Sequence, residues 1–200
     1  MREVLTIGHS SLSYERFVSL LREARVTAVA DVRSSPFSRR FPQFNKGDLQ
    51  KQLRKDGLSY AFLGKELGGR PVSQDLFNEG VADYERMAAT PSFAKGLERI
   101  IEGAKEHRIA LMCSEANPLE CHRCLLVGRS LETYGISVKH ILASGRTASQ
   151  ADIEQELLEL FGKGSADLFA PVDEQLGSAY RAQARRVAFA QVELLSTGGS

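Results

Sequence analysis

The sequence predicts an α/β fold of three layers, with a mostly parallel central sheet, helices on both faces and a C-terminal helical extension. Three observations carry that expectation. Short apolar, β-prone runs alternate with segments whose apolar residues recur at the 3.6-residue helical period, the order of strands joined by crossover helices. Two hundred residues with 42% apolar content can bury one sizeable core. Three runs end in polar clusters, Gly8-His9-Ser10, Asp31-Val32-Arg33 and Cys113-Ser114-Glu115. Parallel strands bring such ends to one edge of the sheet, where ligands collect.

Taken in order, Val4–Ile7 is the first strand, broken by Gly8-His9-Ser10. Ser13 caps a helix with Phe17, Leu20, Leu21 and Ala24 on one face. Val26–Ala30 is the second strand, and Ser34–Asn45, with two prolines and no clean period, is a loop. Asp48–Lys55 is a short helix ended by Gly57, Ser59–Leu63 a strand, and Gly68-Gly69-Arg70 a turn. Gln74–Thr90 is polar and reads as loop with a short helix. Phe93–His107 is a helix, apolar at Phe93, Leu97, Ile100, Ile101 and Ala104, that leads into the strand Ile109–Cys113. Asn117-Pro118 is a helix start, Asn as N-cap and Pro at the first helical position. That places Cys121, His122, Arg123 and Cys124 in the first two turns. Ser137–Leu142 is a strand, Gly145-Arg146 a turn, Asp152–Phe161 a helix, 162–171 a linker and Glu174–Leu195 a last helix. The α/β domain is expected over residues 1–146, with its helical extension over 147–200.

Composition excludes several roles. A formal net charge of +1 leaves no global field to recruit nucleic acid or a membrane. No apolar run is long enough to span a bilayer, and Met1–Ser10 lacks the order of a signal peptide. Three cysteines without disulfide spacing fit a reducing compartment. A cytoplasmic protein with no membrane partner is expected.

The densest chemistry lies in Ile109–Arg129. Cys113 ends a strand and Glu115 follows it in the loop. Cys121 sits near a helix N-terminus, whose free N–H groups and dipole lower a thiol pKa. Either thiol is a candidate nucleophile, Cys113 also a candidate persulfide carrier. Cys124 shares a stripe with Leu125, Gly128 and Leu131 and reads as core. Asp31 or Glu115 is a candidate general acid or base, Asp31 alternatively orienting His9 or His122. The catalytic candidates are therefore Asp31, Cys113, Glu115, Cys121 and His122, with His9, Ser10, Arg33, Arg39, Arg40 and Arg123 as candidate substrate binders. A metal site from Cys113, Glu115, Cys121 and His122 is conceivable, but their spacing matches no standard zinc arrangement, so neither a metal ligand nor a cofactor is assigned. His107 and His140 read as structural.

Arg33–Lys55 holds seven basic residues and one acidic one, interleaved with Phe37, Phe41 and Phe44. One reading is a solvated face whose rings plug the core. The other is a lobe that grips phosphate through Arg and stacks a base on Phe.

Together these motifs resemble the domain-of-unknown-function 488 family. The residues concerned are Thr6-Ile7-Gly8-His9-Ser10, Asp31-Val32-Arg33 with Ser35-Pro36, Leu67-Gly68-Gly69, Cys113-x-Glu115, Cys121-His122-Arg123, and His140-Ile141 before Gly145. Leu176 and Ala179-Tyr180-Arg181 also look like tails in that family. The resemblance implies the fold and brings no reaction. A second resemblance is to rhodanese-type sulfurtransferases, in which an Asp-Val-Arg strand precedes a strand ending in Cys. It departs where Glu115 follows Cys113, because a carboxylate repels the anionic sulfur such loops cradle. The expectation is an enzyme acting on an anionic small molecule, a nucleotide or nucleic-acid component. The alternatives are a non-catalytic nucleotide or nucleic-acid binding module and a rhodanese-like sulfurtransferase.

Overall fold

The computed structural model describes residues 2–162 and 171–191. In chain order the elements are β1 (Glu3–Gly8), α1 (Tyr14–Glu23), β2 (Ala28–Asp31), α2 (Lys46–Lys55), β3 (Ser59–Phe62), α3 (Gly64–Leu67), β4 (Phe77–Asn78) and β5 (Val81–Ala82). They continue with α4 (Tyr84–Ala88), α5 (Pro91–Gly103), β6 (Ile109–Cys113), α6 (Arg129–Thr133), β7 (Ser137–Ile141), β8 (Thr147–Ser149), α7 (Gln150–Gly162) and α8 (Val172–Val187). Six strands form one sheet in the order β3-β2-β6-β1-β7-β8. Every pairing in it is parallel except that of β7 with β8.

Two apolar cores lie on opposite faces, as the two-residue side-chain period of a strand requires. Leu5 and Ile7 of β1 and Ala110 and Met112 of β6 pack with Phe17 and Leu21 of α1 and Leu49 and Leu53 of α2. Val4, Leu111 and Cys113 pack on the other side with Phe93, Leu97 and Ile100 of α5, the Cys124–Leu131 segment and α7 and α8. Helices therefore cover both faces, in a three-layer α/β fold.

Register sets the position of the polar strand ends. Gly8 pairs with Cys113, and Asp31 with Met112, so all three clusters leave the sheet at its carboxyl edge.

Several local expectations differ from the structure. Gln74–Thr90 contains the hairpin β4–β5 and the helix α4, and Gly64–Leu67 is one helical turn. Thr147–Ser149 adds an antiparallel edge strand. The last helix ends at Val187, because Ala188 turns to an extended conformation and Phe189 accepts a hydrogen bond from Ala82 N–H (2.8 Å). Residues 163–170 of the expected linker and 192–195 of the expected helix lie outside the described residues.

The largest departure follows Asn117. Its side chain caps a single 3₁₀ turn, Pro118–Glu120, by accepting from Leu119 N–H at 2.9 Å. Cys121 is then extended (φ −138°, ψ 136°), and a π-helical segment, Arg123–Gly128, leads into α6. Cys121 thus lies outside regular helix. Consecutive side chains on a helix do not face one another; the extended Cys121 lets its thiol and the His122 ring meet the same neighbour.

Candidate functional site

A cleft of about 750 Å³ opens at the carboxyl edge of the sheet. Cys113, Glu115 and His122 contribute to its lining, along with Arg33, Arg40 and Arg70. β6 delivers Cys113 at its last residue, and the loop that follows turns Glu115 back over it. Gly8 permits this turn. A Cβ there would stand 1.7 Å from the Glu115 carbonyl oxygen, so no other residue lets the loop pass β1 so closely. Ser10, next along, holds a left-handed backbone (φ 44°) and donates its N–H to Ser114 O. Strained backbone of this kind persists only where the surroundings enforce it.

One Glu115 oxygen, Oε2, lies between two sulfurs, 3.0 Å from Cys113 Sγ and 3.1 Å from Cys121 Sγ. His122 donates from Nε2 to the carbonyl of Val32 (2.9 Å). A carbonyl can only accept, which fixes that proton and turns Nδ1 toward the thiols, 3.6 Å from Cys113 and 3.9 Å from Cys121. Gly69 packs on the imidazole, where a Cβ would stand 2.8 Å from Cγ.

The thiols and His122 are buried, Cys121 at 1% and Cys113 at 3% exposure, while Glu115 keeps part of its surface in solvent, and the charges are divided unequally. Burial, reinforced by Cys121 and Glu115, pushes the Cys113 thiol well above its ordinary range. Burial also opposes ionisation of Cys121, but a hydrogen bond from Cys113 and the charges of Arg123 and His122 outweigh it and hold that thiol well below. Burial and the charge of Cys121 raise Glu115. Burial works against the His122 cation, yet the hydrogen bond and charge of Cys121 prevail and raise it. Cys124 is fully buried, its thiol pushed up to about 12 by burial, in keeping with the core stripe.

Around the cluster, four of the five Arg33 N–H groups are engaged. Nε and Nη2 donate to Asp31 (2.9 and 2.7 Å), Nη2 also to Phe44 O (2.8 Å), and Nη1 to His9 Nε2 (3.2 Å). One N–H has no partner among the described residues and can meet a ligand. His9 donates from Nδ1 to Ser10 O (2.9 Å), and burial, then the Arg33 charge, holds its pKa down to about 4. It is a neutral ring stacked on Phe44, with centroids 4.2 Å apart.

Not all predicted site residues reach the cleft. His9, Ser10, Arg33, Arg40, Cys113, Glu115 and His122 line it; Asp31, Cys121 and Arg123 lie behind it; Arg39 is exposed on the neighbouring loop without lining it. Asp31 is fully buried and saturated by Arg33 and the Tyr60 hydroxyl (2.7 Å), so it serves as an anchor with no oxygen facing a substrate. Arg123 is likewise fully buried and props the loop, donating to the carbonyls of Glu115 (2.6 Å) and Ala116 (2.9 Å). The basic lobe divides. Phe44 is core, Phe37 is 67% exposed at the cleft rim, and the cations of α2 do not line the cleft.

Sequence reasoning missed Arg70, Tyr84 and Phe189 in the cleft wall and Tyr60 behind Asp31. Arg70 adjoins the Gly68-Gly69 turn, which was a usable signal; Tyr84 and Phe189 arrive from segments whose pattern carries none. His140 is structural. It links Thr6 (2.8 Å) to Gln150 (2.9 Å), and Gln150 donates to Tyr180 of α8 (2.6 Å).

Among known families, the one described as Domain of unknown function DUF488 has a model that matches residues 13–129, more than half of the chain. No curated protein matches it. Among the described residues, no helix is long and apolar enough to cross a membrane.

Proposed function

The chain belongs to the DUF488 family, and from the chemistry of its cleft we propose that it is a cytoplasmic enzyme acting on an anionic substrate, a nucleotide or nucleic-acid component. One observation carries the reading: a Cys113–Glu115–His122 floor lies beneath walls bearing Arg33, Arg40 and Arg70. Its volume is that of a small-molecule site, within the usual range of about 300–1,000 Å³. The three guanidiniums hold the anionic group, Arg33 from a fixed position and Arg40 and Arg70 from the rim. Phe37, exposed at that rim, offers its face to a base. Glu115 is the carboxylate placed to exchange a proton with a bound substrate.

The sulfurtransferase alternative has less support. Cys113 Sγ lies 3.0 Å from the Glu115 carboxylate and beside the Cys121 thiol, neighbours that oppose an anionic persulfide. The binding-module alternative uses the same cleft and differs in lacking turnover.

The test is titration with a nucleoside monophosphate, and with a labelled oligonucleotide, at two salt concentrations. Binding that weakens with salt and is reduced in Arg40→Ala and Arg70→Ala is expected; no binding of either ligand at low salt would remove the reading. Turnover of a bound ligand, lost in Glu115→Gln, separates an enzyme from a binding module.

A further inference from the structure

We propose that Cys113, Cys121 and His122 form a binding site for one zinc-class divalent ion, with the fourth position left to water or substrate. This site shares Cys113 and His122 with the cleft floor of the substrate reading, but it is supported by the ligand geometry rather than by the arginine walls.

The first observation is distance. The three ligand atoms, two Sγ and one Nδ1, all lie within 4.8 Å of one another. With zinc–sulfur and zinc–nitrogen bonds of about 2.3 and 2.0–2.1 Å, a tetrahedral ion sets sulfur and nitrogen about 3.6 Å apart. The Cys113 and Cys121 sulfurs stand 3.6 and 3.9 Å from Nδ1. Glu115 Oε2, 3.0 and 3.1 Å from the sulfurs, stands beside these three ligands and is not one of them.

The second observation is the far side of the imidazole. His122 Nε2 donates to the Val32 carbonyl, the outer hydrogen bond by which metal-binding histidines are held in one tautomer and orientation. It leaves Nδ1 as the atom facing the sulfurs, and Gly69 against the ring face limits its rotation.

The third observation is charge. Two buried thiols share their site with His122 and the guanidinium of Arg123, and the exposed Glu115 carboxylate lies beside them. Both thiols cannot ionise together there without a further cation. A divalent ion supplies that charge, and binding it releases the protons held on the ligand atoms, sulfur or imidazole nitrogen. Ligands of sulfur and imidazole select zinc-class ions over magnesium or calcium. Cys113, Glu115 and His122 all line the cleft, so the ion has a path in. The chain spacing, which fits no standard zinc motif, conceals the site because a 3₁₀ turn and an extended residue, not a regular helix, bring Cys121 and His122 to Cys113.

The purified protein is analysed for metal by plasma mass spectrometry, then stripped with a chelator and titrated with Zn²⁺ and Co²⁺. One ion per chain is expected, with a thiolate-to-cobalt charge-transfer band. Cys113→Ser, Cys121→Ser and His122→Gln should each weaken Zn²⁺ by well over tenfold, since even an outer hydrogen-bond partner of a ligand is worth about 10–100-fold. Cys124→Ala should leave it unchanged. If wild-type protein binds no Co²⁺ or shows no charge-transfer band, the proposal falls even where a variant fails to fold. Unaltered affinity in both cysteine variants, or an equal loss in Cys124→Ala, would also overturn it. Nucleotide titration of the metal-free protein reads the cleft independently of the ion.

Discussion

Replacing Asp31 by Asn keeps the shape of the side chain and removes the charge that partners Arg33. Both residues are buried, Asp31 fully and Arg33 at 4% exposure, so water cannot take over the lost interaction. Asp31 accepts from the Arg33 backbone N–H (3.1 Å), from Nε (2.9 Å) and Nη2 (2.7 Å), and from the Tyr60 hydroxyl (2.7 Å). Asn offers one acceptor oxygen where the carboxylate offered two, so at least one of these donors faces an amide N–H₂. Stranding one partner of a buried ion pair costs about 3–5 kcal/mol. At roughly 2–4 °C per kcal/mol for a chain of this size, the melting temperature should fall by roughly 6–20 °C. Adding Arg33→Met removes the stranded charge, so the double variant should be more stable than the sum of the two single losses predicts. Thermal and urea unfolding of wild type, both single variants and the double variant supplies the cycle. Losses that add within about 0.5 kcal/mol, the agreement expected of independent sites, would refute the view that this pair anchors the cleft cation.

Two further outcomes follow from the same geometry. Burial holds the His140 pKa down to about 4; its unfolded value near 6.5 means the unfolded chain takes the proton first, so stability is full above about pH 6.5 and falls by about 3 kcal/mol toward pH 4. Urea midpoints across that range should show a shallower fall in His140→Gln, and an unchanged slope would contradict the assignment. Phe44, with no exposed surface, and Phe37, 67% exposed, should separate cleanly: Phe44→Ala costs about 3–5 kcal/mol of stability, whereas Phe37→Ala leaves stability within about 0.5 kcal/mol and weakens nucleotide binding by about 1–3 kcal/mol. Equal effects of the two substitutions on melting would count against the division between core ring and rim ring.

The parts of the fold that were legible in the sequence are those set by apolar, β-prone runs. β1, β2 and β6 are short and mostly apolar or β-branched, β7 keeps Val138 and Ile141 between polar residues, and the parallel register of their ends follows once helices separate them. The convergence of His9, Arg33, Cys113 and Glu115 was readable for that reason. Short elements carry too few residues for a period to register, which is why α3, the β4–β5 hairpin and β8 were not seen. Asn117-Pro118 correctly marked a helix start, but nothing in the residues that follow distinguishes one 3₁₀ turn from a continuing helix. The difference changes the site, because only the extended Cys121 places its sulfur beside Glu115. The roles given to Asp31 and Arg123 shifted for a related reason. Sequence places a charged residue at a strand end without revealing whether its charge faces solvent or a buried partner. Asp31 faces Arg33 and Tyr60; Arg123 faces the carbonyls of its own loop.

The most direct test of the cleft is a crystal structure of the protein with a bound nucleoside monophosphate. The phosphate should lie against Arg33, Arg40 and Arg70, with the base at Phe37 and the reacting end of the ligand over Cys113, Glu115 and His122. A phosphate bound instead among the exposed cations of α2, with this cleft empty at saturating ligand, would contradict it.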